Sequence, residues 1–361
     1  MSCRDQAPDP DAGAGRTSGN ESVSGSSLFL ENSGCMTIHV VLNTQTAADA
    51  QRQVDTWVKA HAGATLSATR SAEEARVAVR QAMDGGTDRL IAAGGDGTLS
   101  LVAGEVLNDT HGAGKARGDD GASPGPESSD APVIGLCPLG TGNDFARSLG
   151  VPTAPDEALD HAAQGEPVWI DALCAEEEDN DTEPRWGVNA VAGGFSGEVD
   201  EAISREQKDR WGALAFIIGA ADIAPDIPQY ATEIRYVDPS GEEQCWSGDT
   251  VNVICANGQT IGGGRSVAPT ARLDDGYLDL VVVRHGDLPD LARTAARLLA
   301  GAWEEDDQVD ILRACSARIR STPGLKFNVD GDLWTQRPIR VATVPHALRV
   351  VAGPKAPALS R

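Results

Sequence analysis

The sequence predicts an N-terminal doubly wound parallel α/β domain followed by an antiparallel β-sandwich domain. Up to about residue 165, short apolar strands alternate with amphipathic helices, as in a parallel sheet covered by helices. Two of these strands lead into glycine-rich loops, and such sheets bind ligands at the carboxyl ends of their strands. Beyond that point the apolar segments are short, β-rich and separated by turn residues, which is typical of a sandwich or barrel.

The first domain is predicted over residues 36–165, after a tail at 1–35 whose Asp, Gly, Ser and Pro content predicts disorder. Its predicted elements are strands at 37–43, 64–69, 88–93 and 132–137 and helices at 47–61, 71–83, 99–107 and 143–149. Ser71 and Glu74 form a capping-box pattern at the second helix. Residues 108–130, rich in Gly, Asp, Ser and Pro, are predicted to be a surface insertion.

The second domain is predicted over residues 166–345. Residues 346–361 are predicted to form a C-terminal strand and tail, and one option is that this strand returns to the first domain. Strands are predicted within 168–175, 185–194, 231–237, 249–258, 276–284, 316–321, 325–332 and 347–353. Helices are predicted around 210–223 and 288–303. The first is very apolar, but at roughly 14 residues it is shorter than the about 20 that a bilayer requires. The acidic residues 176–183 are predicted to be a solvated hairpin tip.

The charge and the cysteines limit the classes of function. The 361 residues include 54 acidic and 30 basic side chains, so the formal net charge is −24. This excess argues against a nucleic-acid partner, which would require a basic face, and against simple electrostatic recruitment to an anionic membrane. The seven cysteines include no CxxC pair, which indicates reduced cysteines in a cytoplasmic protein.

The glycine loops carry the strongest chemical signal. The first, GGDGT at 94–98, lies between an apolar strand and an amphipathic helix, and the second, at 138–146, occupies the equivalent place after a later strand. Glycines let the backbone approach a ligand closely, and a helix N-terminus favours phosphate oxygens. A plain strand–turn–helix junction is the alternative for either loop alone. The sequence has neither a GxxxxGK[ST] P-loop nor a dinucleotide-binding GxGxxG fingerprint.

Five motifs in a fixed order resemble a known family. They are GGDGT at 94–98, LGTGNDFARSLG at 139–150, GGFSGEV at 193–199, LDDGYLDLVVV at 273–283 and VDGD at 329–332. Together they resemble the diacylglycerol kinase catalytic family, which includes bacterial soluble lipid kinases, sphingosine kinases and ceramide kinases. The first motif is shared with NAD kinases, whereas the second and fourth are more specific.

The resemblance implies transfer of the γ-phosphoryl group of ATP to a lipid hydroxyl, with Mg²⁺, in a cleft between the two domains. It implies nucleotide contacts at Asn43, Thr69, Gly94, Gly95, Asp96, Gly97, Thr98 and Thr141. It implies catalytic roles for Asp332 as general base and for Asp96 and Asp144 in the active cleft. It also implies a structural Mg²⁺ site at Asp275, helped by the backbone carbonyls of Arg272 and Tyr277.

Two departures from the family pattern leave alternatives open. Asp332 stands where the family usually has glutamate, and one methylene fewer draws the carboxylate back by about 1.5 Å from the reach that a base requires. Asn43 is followed by Thr44 where the family commonly has proline.

The resemblance implies ATP and a lipid substrate as partners, for a cytoplasmic protein transiently peripheral at the membrane. Two alternatives to a lipid kinase stay open. One is an NAD kinase, and the other is a catalytically weak lipid- or nucleotide-binding protein. A homodimer is one option for the oligomeric state.

Overall fold

The computed structural model describes residues 36–115, 131–178, 182–194, 228–302 and 306–360. Residues Met36–Arg361 form one compact unit. The predicted tail at 1–35 and the predicted helix around 210–223 lie outside the described residues, as do residues 116–130 of the predicted insertion and 179–181 of the acidic stretch.

The N-terminal part is a four-stranded parallel sheet with helices, in the strand order β4-β3-β1-β2. Its elements are β1 (Ile38–Asn43), α1 (Ala48–Ala60), β2 (Ala64–Thr69), α2 (Ala72–Asp84), β3 (Arg89–Gly94), α3 (Asp96–Lys115), β4 (Val133–Pro138), α4 (Asp144–Ser148) and α5 (Pro155–Gln164). Strands β3 and β4 are buried almost throughout, which explains their continuous apolar sequences. Ser71 caps α2 by accepting a hydrogen bond from the Glu74 amide, as the sequence predicts.

Helix α3 differs from the prediction at both ends. It begins at Asp96, inside the glycine loop, and continues to Lys115 with a non-helical break at Gly112. The first eight residues of the predicted insertion, 108–115, therefore belong to this helix. The sequence predicts that the helix begins at Leu99, after the glycine loop. Here Gly97 lies in the first helical turn, so the loop and the helix N-terminus are one feature.

The C-terminal part is antiparallel and β-rich, which confirms the predicted fold class. Its elements are β5 (Pro167–Glu177), β6 (Arg185–Gly187), β7 (Ala190–Gly194), β8 (Tyr230–Val237), β9 (Glu243–Ala256), β10 (Thr260–Ile261), β11 (Arg265–Ser266), β12 (Leu278–Arg284), α6 (Leu288–Ala300), β13 (Val309–Ala314), β14 (Ser316–Thr322), β15 (Phe327–Val329), β16 (Asp332–Thr335) and β17 (Ile339–Val351). Buried and exposed residues alternate along β8, as expected for a strand with one solvated face.

Strand β17 connects the two parts into one mixed sheet. It pairs antiparallel with β5 along most of its length and with β14 at its start. Near its end Val350 pairs in parallel with Ile134 of β4. One core therefore includes both β4 and the end of β17, and a second core fills the antiparallel part. The predicted boundary at 165/166 falls in the short link between α5 and β5, and the division into two domains remains a prediction. No helix in the described part of the chain has the length and apolar character to cross a bilayer.

Candidate active site

The first glycine loop places a hydroxyl at the start of α3. A side chain at Gly94 would put its Cβ 2.2 Å from the Thr98 hydroxyl oxygen, so glycine is required for Thr98 to fold back over the loop. Asn43, at the end of the adjacent strand β1, donates a hydrogen bond from Nδ2 to that oxygen at 3.4 Å. Thr69 is buried, and its hydroxyl donates to the Leu42 carbonyl at 3.1 Å.

The second glycine loop lies directly against the first because β3 and β4 are neighbours. A Cβ at Gly140 would be 2.6 Å from the Cα of Gly95, so the two backbones touch. Asn143 closes the second loop by exchanging hydrogen bonds with Gly140: its Oδ1 accepts from the amide at 3.0 Å and its Nδ2 donates to the carbonyl at 2.7 Å. Thr141 in this loop is exposed.

Asp96 and Asp144 both lie close to Gly142. A Cβ at Gly142 would be 3.0 Å from Oδ2 of Asp96 and 3.5 Å from Oδ2 of Asp144. Oδ1 of Asp96 accepts a hydrogen bond from the Phe145 amide at 3.2 Å. Burial, followed by the charges of Asp144 and Asp330, raises the pKa of Asp96, and hydrogen bonds from backbone amides partly oppose the shift.

Asp330 is a site residue that the sequence motifs do not single out. Its Oδ1 accepts hydrogen bonds from the amides of Asn189 and Ala190, and its Oδ2 accepts from the Val188 amide, all at 2.9 Å. The Ser100 hydroxyl of α3 also hydrogen-bonds to this carboxyl, while burial raises its pKa. The sequence signal was present in the Asp-Gly pair of VDGD, which also reads as a simple turn. One carboxyl thus connects the β15–β16 turn, the β6–β7 connection and α3.

A cavity of about 740 Å³ brings several of the predicted residues together. The predicted residues that line it are Asn43, Thr69, Gly95, Gly97, Thr98 and Asp332. Asp332 is exposed. Gly94, Asp96, Thr141 and Asp144 do not line this cavity, although Gly94 and Asp96 line a smaller adjoining pocket beside the second loop.

Four arginines in the cavity wall are not among the site residues that the sequence predicts. They are Arg70, Arg76, Arg80 and Arg185. The nearly buried Glu105 of α3 pairs with the Nε atoms of Arg80 at 2.7 Å and Arg76 at 3.4 Å. Neither Arg70 nor Arg185 has a side-chain ion pair within the described residues. In a chain with net charge −24, the positive charges of Arg70 and Arg185 make the cavity wall suited to phosphate oxygens. The i, i+4 spacing of Arg76 and Arg80 on α2 was a usable signal.

The Asp96 carboxyl, beside the second glycine loop, fits a catalytic Mg²⁺. Magnesium prefers oxygen ligands and is usually held by one or two carboxylates together with substrate phosphates. Asp96 offers Oδ2. Burial first, and then the charges of Asp144 and Asp330, raise its pKa, and a bound cation would offset that negative charge. Among the described residues no group of three or more His, Cys, Asp or Glu side chains forms a complete metal site. Substrate phosphates would therefore have to supply further ligands.

The predicted structural Mg²⁺ site is a compact turn but does not fit the ion as arranged. Arg272, Asp275 and Tyr277 lie in the turn that precedes β12. Oδ1 of Asp275 accepts a hydrogen bond from the Tyr277 amide at 3.1 Å, and its Oδ2 is paired with the guanidinium of Arg313. Both carboxylate oxygens are therefore already engaged.

The fold and the two glycine loops define the chain as a member of the NAD kinase-like superfamily. Residues 37–175 match the diacylglycerol kinase catalytic domain, and residues 189–352 match the YegS C-terminal NAD kinase beta sandwich-like domain. The chain therefore belongs to the diacylglycerol kinase catalytic family, which confirms the resemblance based on its motifs.

Relatives agree with this assignment, and solved structures share the fold. A "Probable lipid kinase YegS-like" protein of Xanthomonas oryzae pv. oryzae is 30% identical over 331 residues, covering 89% of this chain and 98% of that protein. A protein of the same description from Stenotrophomonas maltophilia is 34% identical over 280 residues, covering 75% and 81%. A Bacillus anthracis crystal structure superposes with a TM-score of 0.71 at 20% identity, covering 91% of this chain and all of that one. Another from that organism, described as a diacylglycerol kinase, has a TM-score of 0.66 at 20% identity, covering 88% and 98%.

Proposed function

We propose that this protein is an ATP- and Mg²⁺-dependent lipid kinase that transfers the γ-phosphoryl group of ATP to a lipid hydroxyl, with diacylglycerol as the leading acceptor. The observation that carries the proposal is the shared cavity: the first glycine loop and Asp332 face the same space, together with four arginines. The naming of the relatives as lipid kinases supports a lipid acceptor.

The glycine loops and the arginines serve to bind and orient the triphosphate. The backbone amides at the start of α3 offer donors and the positive end of a helix dipole. Arg70 and Arg185 supply charge that no described acidic residue neutralises by an ion pair. Phosphoryl transfer depends on such positioning and on neutralising the phosphate oxygens, and bound Mg²⁺ would add to that neutralisation.

Asp332 is the proposed general base. As the lipid hydroxyl oxygen forms a bond to the γ-phosphorus, the bond from that phosphorus to the leaving oxygen of ADP breaks, and the hydroxyl proton moves to the Asp332 carboxylate. The exposure of Asp332 at the cavity keeps this carboxylate available to a substrate. Asp330 is proposed as a positioning residue, because its oxygens accept hydrogen bonds from backbone amides.

The proposal is tested with γ-labelled ATP and a panel of acceptors: extracted membrane lipids, pure diacylglycerol and NAD⁺. We expect label in a lipid, strongest with diacylglycerol. Asp332→Asn should lose most turnover, and Asp332→Glu, which restores the family's reach, should equal or exceed wild type. Asp84→Asn, an exposed carboxyl at the end of α2, is the matched control and should change nothing. Label in NAD⁺ but in no lipid would replace the proposal by an NAD kinase. No transfer to any acceptor would support a binding protein.

The site of action is proposed to be the membrane surface, reached transiently from the cytoplasm, because a diacylglycerol-type acceptor resides in a bilayer. Binding to vesicles during turnover, measured by co-sedimentation, tests this part separately from the chemistry.

A further inference from the structure

The turn before β12, residues 272–277, is held by an arginine from a neighbouring strand. Asp279 of β12 pairs in register with Arg313 of β13, and the Arg313 side chain reaches back along the strand to the Asp275 carboxylate. Its Cζ atom lies 4.8 Å from the ring centroid of Tyr277. The guanidinium therefore has both an anion and an aromatic face as partners.

We infer that the Arg313 guanidinium is the permanent counterion of Asp275 and takes the place of the structural divalent cation that the family resemblance implies there. Mg²⁺ requires near-octahedral oxygen coordination and gives up water reluctantly. To bind Asp275, it would have to displace the guanidinium from Oδ2 and then remain beside that positive charge. The guanidinium already supplies a charge-assisted hydrogen bond to this carboxylate.

The turn matters because it anchors several distant segments. The amide of Gly276 donates to Oδ2 of the buried Asp171 at 2.6 Å, and Oδ1 of Asp171 accepts from the His346 amide in β17 at 2.8 Å. Asp274 accepts a hydrogen bond from the Ser360 amide near the C-terminus at 2.7 Å. An arginine counterion makes this junction independent of the metal concentration, so that the Mg²⁺ requirement is confined to the catalytic step.

The experiment measures urea unfolding of the full chain in EDTA and in millimolar Mg²⁺. All proteins carry Asp96→Asn, so that metal binding at the catalytic carboxyls does not contribute. With Arg313 present, we expect the same unfolding midpoint in both buffers. Arg313→Gln should lower the midpoint in EDTA and recover part of the loss in Mg²⁺, because the freed carboxylate becomes available to a cation.

The matched control is Arg284→Gln. Arg284 makes an analogous pair with Asp310, at 2.7 and 3.0 Å, and lies 5.9 Å from the Trp246 ring. Arg284→Gln should lower the unfolding midpoint equally in EDTA and in Mg²⁺. A midpoint that rises with Mg²⁺ while Arg313 is present, or an Arg313→Gln protein without any Mg²⁺ recovery, would overturn the inference.

Metal counting provides a second readout if Arg313→Gln does not fold. Bound Mn²⁺ is measured without nucleotide in the wild-type chain and in Asp275→Asn. Equal numbers support the inference, and one fewer site in Asp275→Asn overturns it. Neither measurement depends on kinase activity, so the result stands apart from the proposed function.

Discussion

The carboxylate of Asp144 accepts hydrogen bonds from two consecutive backbone amides, those of Gly263, at 2.8 Å, and Gly264. Asp144 begins helix α4 in the parallel part, whereas the two glycines form the turn between β10 and β11 in the antiparallel part. The side chain is 4% exposed. One buried carboxylate therefore fastens the two parts of the molecule beside the second glycine loop.

Asp144→Asn should destabilise the protein and reduce turnover. An asparagine keeps one acceptor oxygen, but its NH₂ group would face an amide donor, so the free energy of unfolding should fall by about 1–3 kcal/mol. Urea unfolding and ATP turnover are measured together, with Asp84→Asn as the exposed control. Unchanged stability would show that the two amides find other acceptors.

Asp330 and Asp332 should behave in opposite ways although they are two residues apart. Asp330→Asn should lower the free energy of unfolding by about 1–3 kcal/mol, because three amides and a hydroxyl hydrogen-bond to its carboxyl. Asp332→Asn should leave the stability unchanged and reduce turnover. Urea unfolding compares the two variants, and each serves as the control for the other. Equal losses of stability would contradict the assignment of roles.

Asp96→Asn should stabilise the protein at neutral pH while it lowers activity. Because the pKa of Asp96 is raised above its usual value of 3.8, the folded state keeps the proton to higher pH than the unfolded state. The contribution of this group to stability therefore falls as the pH rises from that value through the raised pKa. The stability difference between variant and wild type, followed by urea unfolding from acid to neutral pH, should grow across this window. A constant difference would refute the prediction.

Gly140→Ala should force the glycine loops apart. Its Cβ would lie 2.6 Å from Gly95 Cα, and overpacking of this kind typically costs about 1–3 kcal/mol. Gly104→Ala in α3 is the matched control: its Cβ meets no atom within 4 Å, and alanine should stabilise the helix by up to about 1 kcal/mol. Thermal unfolding compares the two variants. Equal stability would show that the loops can shift without cost.

Activity on anionic vesicles should rise with salt. A chain of net charge −24 is repelled by anionic lipid, and the screening length falls from about 10 Å at 0.1 M salt to about 3 Å at 1 M. Turnover is measured on diacylglycerol in anionic vesicles, with detergent micelles as the uncharged control. Flat or falling activity would indicate that a local basic surface docks the protein.

Local patterns in the sequence were sufficient for most elements. The strand predicted at 64–69 matches β2 because its limits depend on neighbouring residues. The cap at Ser71 has the same origin, since the capping side chain and the amide it accepts from are three residues apart. The sequence predicts a helix directly beyond the first glycine loop, whereas α3 begins inside that loop at Asp96.

The sequence by itself determined the fold class, the family and the two loops, because each is written in adjacent residues or in a fixed order of motifs. Only the tertiary structure decided which carboxyls are buried. It also decided that the Asp330 carboxyl accepts hydrogen bonds from three backbone amides, and that Arg313 of another strand pairs with Asp275. Those properties depend on groups far apart in the chain. Burial and charge pairing act through space, so local sequence does not specify them.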